Sequence, residues 1–428
     1  MTPLRSQQLL CIVMYASVFF ASCVQGGGSR TDAGMPDTTA RPAVQTVKPD
    51  YNVFVETSGS MTGYLNANPS EFVETVTSII TSVKSYRSEG LLDSLNLFYL
   101  GKDQSKGMKD FQQRLKTSSF SNIATGISDF DIFFDTVLSH VSERGVAILI
   151  SDMIFSPAKK DQRDVGNFLQ NQKNGIYDKF DTKLDSLPVS TLLLKYSSKF
   201  TGNYYNQQGG KYAIDTPRPY YITIVGKPEF IDALVKRIDF SSFGGFEKMH
   251  LFEAPASKSV AKIIYDKKQS RGSFEFEKPA TRLEIYNAKA ENGVFQFPVA
   301  VDFGHIIAEE NFFLDKNHYR FAAQSSNYEI AGVSRINPTE SQHKGYTHII
   351  QVKTTKLNSG SQKVEFGLTN SVPAWVAASS IDNDTDSRQV KDSARTFGFS
   401  TLVDGIHRAY RSKYQDADLF HITITVTK

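Results

Sequence analysis

The chain has 428 residues, with 48 Lys and Arg against 45 Asp and Glu and a formal net charge of +3. Spread over so large a surface, that balance supplies no basic stripe to track phosphates, so nucleic acid is not an expected partner. At roughly 100–200 residues per domain, the length allows two or three domains with cores of their own.

The N-terminus speaks first about compartment. Arg5 precedes an apolar run, Leu9 to Phe20 (LLCIVMYASVFF), with the charged start and apolar middle of an export signal but too short to span a bilayer comfortably. Phe20-Ala21-Ser22-Cys23 then sets an apolar residue and two small ones before a cysteine, an arrangement that resembles the bacterial lipobox. The resemblance implies a signal peptide over 1–22, cleavage before Cys23, and lipidation of Cys23 at its thiol and new amino group. The alternative is an ordinary signal peptide with an incidental cysteine. Cys11 and Cys23 are the two cysteines of the chain, so the mature protein would hold no spare thiol for a disulfide. Several acyl chains give lasting anchorage where one gives marginal binding. The expected location is the bacterial cell envelope, lipid-anchored in the outer membrane, with the face left open. Residues 23–49, rich in Gly, Thr, Pro and Ala, read as a flexible tether.

Strand and helix patterns alternate over 50–254. Tyr51–Val55 is a short apolar strand, and Phe72, Val76, Ile79, Ile80 and Val83 make one face of a helix over Glu71–Tyr86. A strand follows at Leu95–Leu100. Phe130, Phe133, Phe134, Val137, Leu138 and Val141 form the next helical stripe, ended by Gly145 before the strand Val146–Ile150. A polar helix fits within Arg163–Leu184, strands at Val189–Lys195 and Tyr220–Val225, and a helix at Phe230–Ile238. Repeated βα units with continuous apolar strands indicate an α/β fold, a doubly wound, mostly parallel sheet with helices on both faces.

Residues 255–428 change character. Leu283–Tyr286, Gly293–Phe303, Tyr328–Ile336, His348–Thr354, Val364–Leu368 and Ile422–Val426 alternate partly with period two, and a single helix is expected near Phe399–Tyr414. A β-rich, sandwich-like C-terminal region is the expected class.

The chemistry gathers at strand ends. Glu56, Ser58 and Ser60 in VFVETSGSM close the first strand, Ser128 in GISDFD stands just before a helix, and Asp152 in AILISDM closes another strand. Ligand sites of open α/β sheets lie beyond the C-terminal ends of the strands, and carboxylates and hydroxyls are the hard oxygen donors that Mg²⁺ prefers. Turn chemistry at T-S-G-S and an N-cap at Ser128 explain the same residues without a ligand.

E-T-S-G-S-M after a strand, S-D-F-D opening a helix and I-L-I-S-D ending a strand together resemble the von Willebrand factor type A domain with its metal-ion-dependent adhesion site. The resemblance covers roughly 50–254. It implies a metal set of Glu56, Ser58, Ser60, Ser128 and Asp152, holding Mg²⁺ or another divalent cation that a partner's carboxylate completes. Three positions depart from the family: Glu56 stands for an aspartate, Ser128 for a threonine, and Met153 where glycine is frequent.

Other motifs read as plain surface or core. DNDTD, with Asp382, Asp384 and Asp386, imitates the start of a calcium loop, but Ser387 and Ser393 replace its glycine and closing glutamate, so a solvated loop is expected. Histidine spacing shows no zinc signature. No serine elbow or nucleophile–base set is legible, so no enzyme is expected. The aromatics of Asn203–Tyr221 would line a carbohydrate- or protein-binding surface or cover a seam. The expected function is a membrane-anchored envelope lipoprotein that binds or scaffolds a protein partner. A metal-independent structural component of an envelope assembly is the alternative, and a metal-dependent hydrolase ranks below both.

Overall fold

A computed structural model describes residues 47–428 apart from 68, 101–106, 123–127, 256–258, 278–281, 338–342 and 416–417. The expected signal peptide, Cys23 and most of the expected tether lie outside the described residues. No helix among the described residues is long and apolar enough to cross a membrane.

The first part is mixed α/β. A 6-stranded sheet contains β1 (Asp50–Val55), β2 (Ser94–Tyr99), β3 (Gly145–Ser151), β4 (Ser190–Tyr205), β5 (Lys211–Gly226) and β6 (Phe246–Phe252) in the order β2-β1-β3-β5-β4-β6. β1 pairs in parallel with β2 and β3. The pairings β3–β5, β5–β4 and β4–β6 are antiparallel, which corrects the expectation of a mostly parallel sheet.

The physical reason is a hairpin. β4 and β5 are 16 residues each and pair from Ser190↔Gly226 to Tyr205↔Lys211. A short turn can join only antiparallel neighbours. The Asn206 side chain builds that turn by accepting from the Gln208 and Gly210 amides at 3.1 and 2.7 Å, and Gly209 supplies φ of 76°. β3 reaches β5 only at Tyr221–Val225, so the far halves of β4 and β5 run on as a two-stranded ribbon past the end of β3.

Helices cover both faces. Successive residues of a strand point to opposite sides, and in β5 Tyr220 meets Phe72 of the Glu71–Ser85 helix at 4.9 Å while Tyr221 stacks on Phe399 at 4.0 Å. β3 is buried along its whole length as a result. Ser70 caps the Glu71–Ser85 helix through the Val73 amide, and Asp129 caps the Phe130–Ser139 helix through the Asp131 and Ile132 amides.

Phe399 begins the Phe399–Lys413 helix, which lies in the range expected to be β-rich yet packs on this sheet. A Cβ at Gly405 would stand 2.9 Å from the Lys173 carbonyl oxygen of the Val165–Ser186 helix, so glycine permits the close approach. Trp375, Ile381, Val390 and Phe397 join the same core.

The remaining strands are β7 (Val260–Ile263), β8 (Ser273–Glu275), β9 (Glu284–Lys289), β10 (Phe295–Asp302), β11 (Tyr319–Phe321), β12 (Tyr328–Arg335), β13 (His348–Thr354), β14 (Ser361–Leu368), β15 (Ser380–Ile381), β16 (Thr396–Phe397) and β17 (Phe420–Thr427). They form a 4-stranded sheet β12-β13-β10-β7, a 5-stranded sheet β11-β14-β17-β9-β8 and the short pair β15-β16. Phe297 and Val299 of β10, Ile350 and Val352 of β13, Val364 and Phe366 of β14, and Ile422 and Ile424 of β17 share one apolar core. Along β17 the buried residues alternate with more accessible ones, as a strand with one face on a core requires.

Candidate functional site

The five residues singled out from sequence come from three separate loops and are all buried at the C-terminal ends of β1 and β3. Glu56 and Asp152 are 0% exposed, Ser128 1%, Ser58 3% and Ser60 6%. The Glu56 amide donates to the Ile150 carbonyl at 2.9 Å and so continues the β1–β3 ladder one residue past β1. The Thr57 hydroxyl donates to the Leu100 carbonyl at 2.9 Å, tying the loop to the end of β2.

Glu56 is the hub. The Ser128 hydroxyl donates to Glu56 Oε1 at 2.5 Å, and the Ser151 hydroxyl donates to Oε2. Ser151 also accepts from the Met153 amide at 2.7 Å. Because Asp129 provides the N-cap of the following helix, Ser128 is released to face the crevice. The longer glutamate side chain therefore spans the second and third loops. Ser151 is a site residue that sequence reasoning missed, although it stands beside Asp152 in the quoted motif.

The other hydroxyls form a second subgroup. Ser58 Oγ and Ser60 Oγ are 3.0 Å apart. Asp152 Oδ1 accepts from the Ile154 amide at 3.1 Å, while the buried Oδ2 has no hydrogen-bond partner. Met153 follows with φ of 53°, a left-handed backbone at a fully buried residue, where glycine would carry no Cβ penalty.

Burial sets the electrostatics. It raises Glu56 well above the ordinary carboxylate range, the neighbouring Asp152 charge raises it further, and the Ser128, Ser151 and Ser58 hydroxyls draw it part of the way back. Asp152 is raised mainly by burial and drawn down by Ser60, the Ile154 amide and Arg218. Near neutral pH the pair favours holding a proton over carrying two buried charges.

The fit to a cation rests on Ser58, Ser60 and Asp152. Their donors are hard oxygens, one carboxylate oxygen is left without a partner, and a 3.0 Å oxygen separation matches the edge of an octahedron with ligands at about 2.1 Å. Glu56 and Ser128 satisfy each other beside them. No group of three or more His, Cys, Asp or Glu among the described residues is placed to hold a metal ion, so such a site would depend on the serines.

A cover lies over the crevice. A Cβ on Gly59 would come within 3.2 Å of the Tyr205 ring at the tip of the β4–β5 ribbon. Arg218 of β5 is 1% exposed and donates to the Val390 and Arg395 carbonyls at 2.8 and 2.6 Å, and its charge draws the pKa of Asp152 and of Asp384 down. The DNDTD segment is thus not a uniformly solvated loop. Asp382 is exposed and Asp386 caps the Ser387–Ser393 helix, but Asp384 is fully buried and accepts from the Tyr204 hydroxyl at 2.8 Å and the Gln207 amide at 2.9 Å. The aromatics of Asn203–Tyr221 divide in the same way: Tyr204, Tyr220 and Tyr221 are buried strand residues, and Tyr205 is the large exposed ring.

No family model, curated protein or solved structure matches the chain.

Proposed function

We propose that this chain is a lipid-anchored envelope protein that binds or scaffolds another protein, using a von Willebrand type A-like sheet whose binding face is the crevice beyond β1 and β3. The β-rich part serves as a sandwich-like second binding or spacing module. The observation that carries the reading is the convergence of Ser58, Ser60, Ser128 and Asp152 around Glu56 from three separate loops. Carboxylates with raised pKa concentrate at functional sites, where burial and neighbouring charge are arranged to shift them.

In this reading Ser58, Ser60 and Asp152 hold a divalent cation. When bound, the ion supplies the positive charge that receives a carboxylate oxygen. Glu56 and Ser151 orient the loops behind it, and Ser128 holds Glu56 in place. Calorimetric titration with Mg²⁺ and Mn²⁺ tests the ion directly. Saturable binding lost in Asp152→Ala and in the Ser58→Ala, Ser60→Ala double variant supports metal dependence, whereas no heat of binding in the wild type removes it.

The metal-independent alternative has an observation of its own. The hydroxyls already pair with Glu56 and with one another, and the cluster is sealed from solvent. A fixed assembly that co-purifies unchanged with chelator present, and with both serines replaced by alanine, would select that alternative.

A further inference from the structure

We infer that the acidic segment Asp382–Asp386 is an intramolecular ligand. It fills an aspartate-binding pocket at the mouth of the crevice, and a partner presenting an exposed acidic segment binds by displacing it. The inference rests on the reading of this crevice as the binding face.

The pocket is built by the ribbon that overruns the sheet. The Tyr204 hydroxyl donates to Asp384 Oδ2 at 2.8 Å and the Gln207 amide to Oδ1 at 2.9 Å, so one donor reaches each carboxylate oxygen. Arg218 lies over the Tyr204 ring, 5.0 Å from its centroid, and its positive charge favours the ionised form of Asp384. Hydrogen bonds to an ionised carboxylate are about twice as strong as neutral ones. These are the contacts of a specific carboxylate receptor.

The neighbouring contacts read a peptide. The Gln207 side-chain amide donates to the Asn383 side chain at 2.7 Å, and the Tyr212 hydroxyl donates to the Thr385 carbonyl. Residues 383–385 are therefore held by polar contacts, with Asp384 as the one fully buried side chain among them. Asp382 and Asp386 on either side are exposed.

Displacement has a visible consequence. Arg218 holds the same segment further along, through the Val390 and Arg395 carbonyls, and β16 pairs with β15 across the same stretch. Loss of Asp384 from its pocket loosens a strap that begins at Ser380 and ends at Phe397. The end of the strap meets the loop that follows Asp152, where the Phe155 amide donates to the Phe397 carbonyl at 3.5 Å.

A labelled peptide of residues 381–388 (IDNDTDSR), added to the full chain, tests this. The wild type binds the peptide weakly, because the peptide must first displace Asp384. Asp384→Ala empties the pocket and binds it more tightly, and a peptide with asparagine at the 384 position binds about tenfold more weakly, the loss expected for a charge-assisted contact. Amide exchange over 380–397 rises about tenfold in Asp384→Ala while β1 and β3 stay protected. A folded Asp384→Ala chain that binds neither peptide, binds both alike, or keeps wild-type exchange over 380–397 overturns the inference. If Asp384→Ala does not fold, Tyr204→Phe decides: faster exchange over 380–397 supports the strap, and unchanged exchange overturns it. Neither readout involves a metal ion or the cellular partner, so failure here is separable from failure of the proposed function.

Discussion

The crevice buries two carboxylates side by side, whereas several ion pairs of the β-rich part stay in water. At the ends of β1 and β3, Glu56 and Asp152 are fully buried, Asp384 is buried as well, and the charge of the buried Arg218 lowers the pKa of Asp152 and Asp384. In the β-rich part, pairs such as Lys353–Glu329 and Arg282–Glu277 lie at the surface, where water screens them. Burying a charge costs several kcal/mol unless partners compensate, so two carboxylates buried side by side in one crevice point to a use for it.

Removing the compensating cation should break the contrast most sharply. Arg218→Met takes a positive charge out of the crevice and leaves the Val390 and Arg395 carbonyls without a donor, so urea unfolding should show a loss of about 2–4 kcal/mol. A loss under about 1 kcal/mol would mean that the crevice charges are compensated elsewhere.

Glu56, beside Asp152, contributes a pH dependence. Its pKa is raised in the folded chain, from 4.5 toward about 8, so the folded state holds the proton more tightly than the unfolded state. That contribution is fully present below about pH 4 and is lost as pH rises through the folded value. Glu56→Gln, neutral at every pH, should flatten the decline: measured with chelator, it should match the wild type near pH 5 and exceed it by on the order of 2 kcal/mol near pH 8. An unchanged slope would place the proton on another group.

Smaller effects complete the series. Ser128→Ala removes the donor to Glu56 Oε1 and should cost about 1–2 kcal/mol in the same unfolding assay. Lys353→Ala, which breaks the cross-strand pair with Glu329 at a 64% exposed carboxylate, should stay within about 0.5 kcal/mol. Equal costs for these two variants would erase the distinction between crevice and surface.

The crevice was the more legible region for a physical reason. T-S-G-S, S-D-F-D and I-S-D each follow or precede a strongly patterned apolar segment, and strand ends of an α/β sheet meet in one place whatever the strand order. The cover was not legible. Pro217 and Pro219 argue against a strand over Lys211–Tyr220, yet β5 there pairs with β4 alone, and a ribbon with a free edge tolerates proline. β6 was absent from the expected elements, and nothing local in Phe399–Lys413 shows that its apolar face belongs to the first core. Asp384 looked like a solvated residue because its partners, Tyr204 and Gln207, are far away in sequence.

If the chain meets a partner at this crevice, cross-linking in intact cells followed by mass spectrometry will locate the contact there. Lys160 follows β3 at the crevice end, and Lys211 opens β5 at the ribbon's tip. Partner cross-links are expected at these two lysines, reduced in the Ser58→Ala, Ser60→Ala variant. Cross-links confined to lysines of the β-rich part, and unchanged by that variant, would contradict a contact at the crevice.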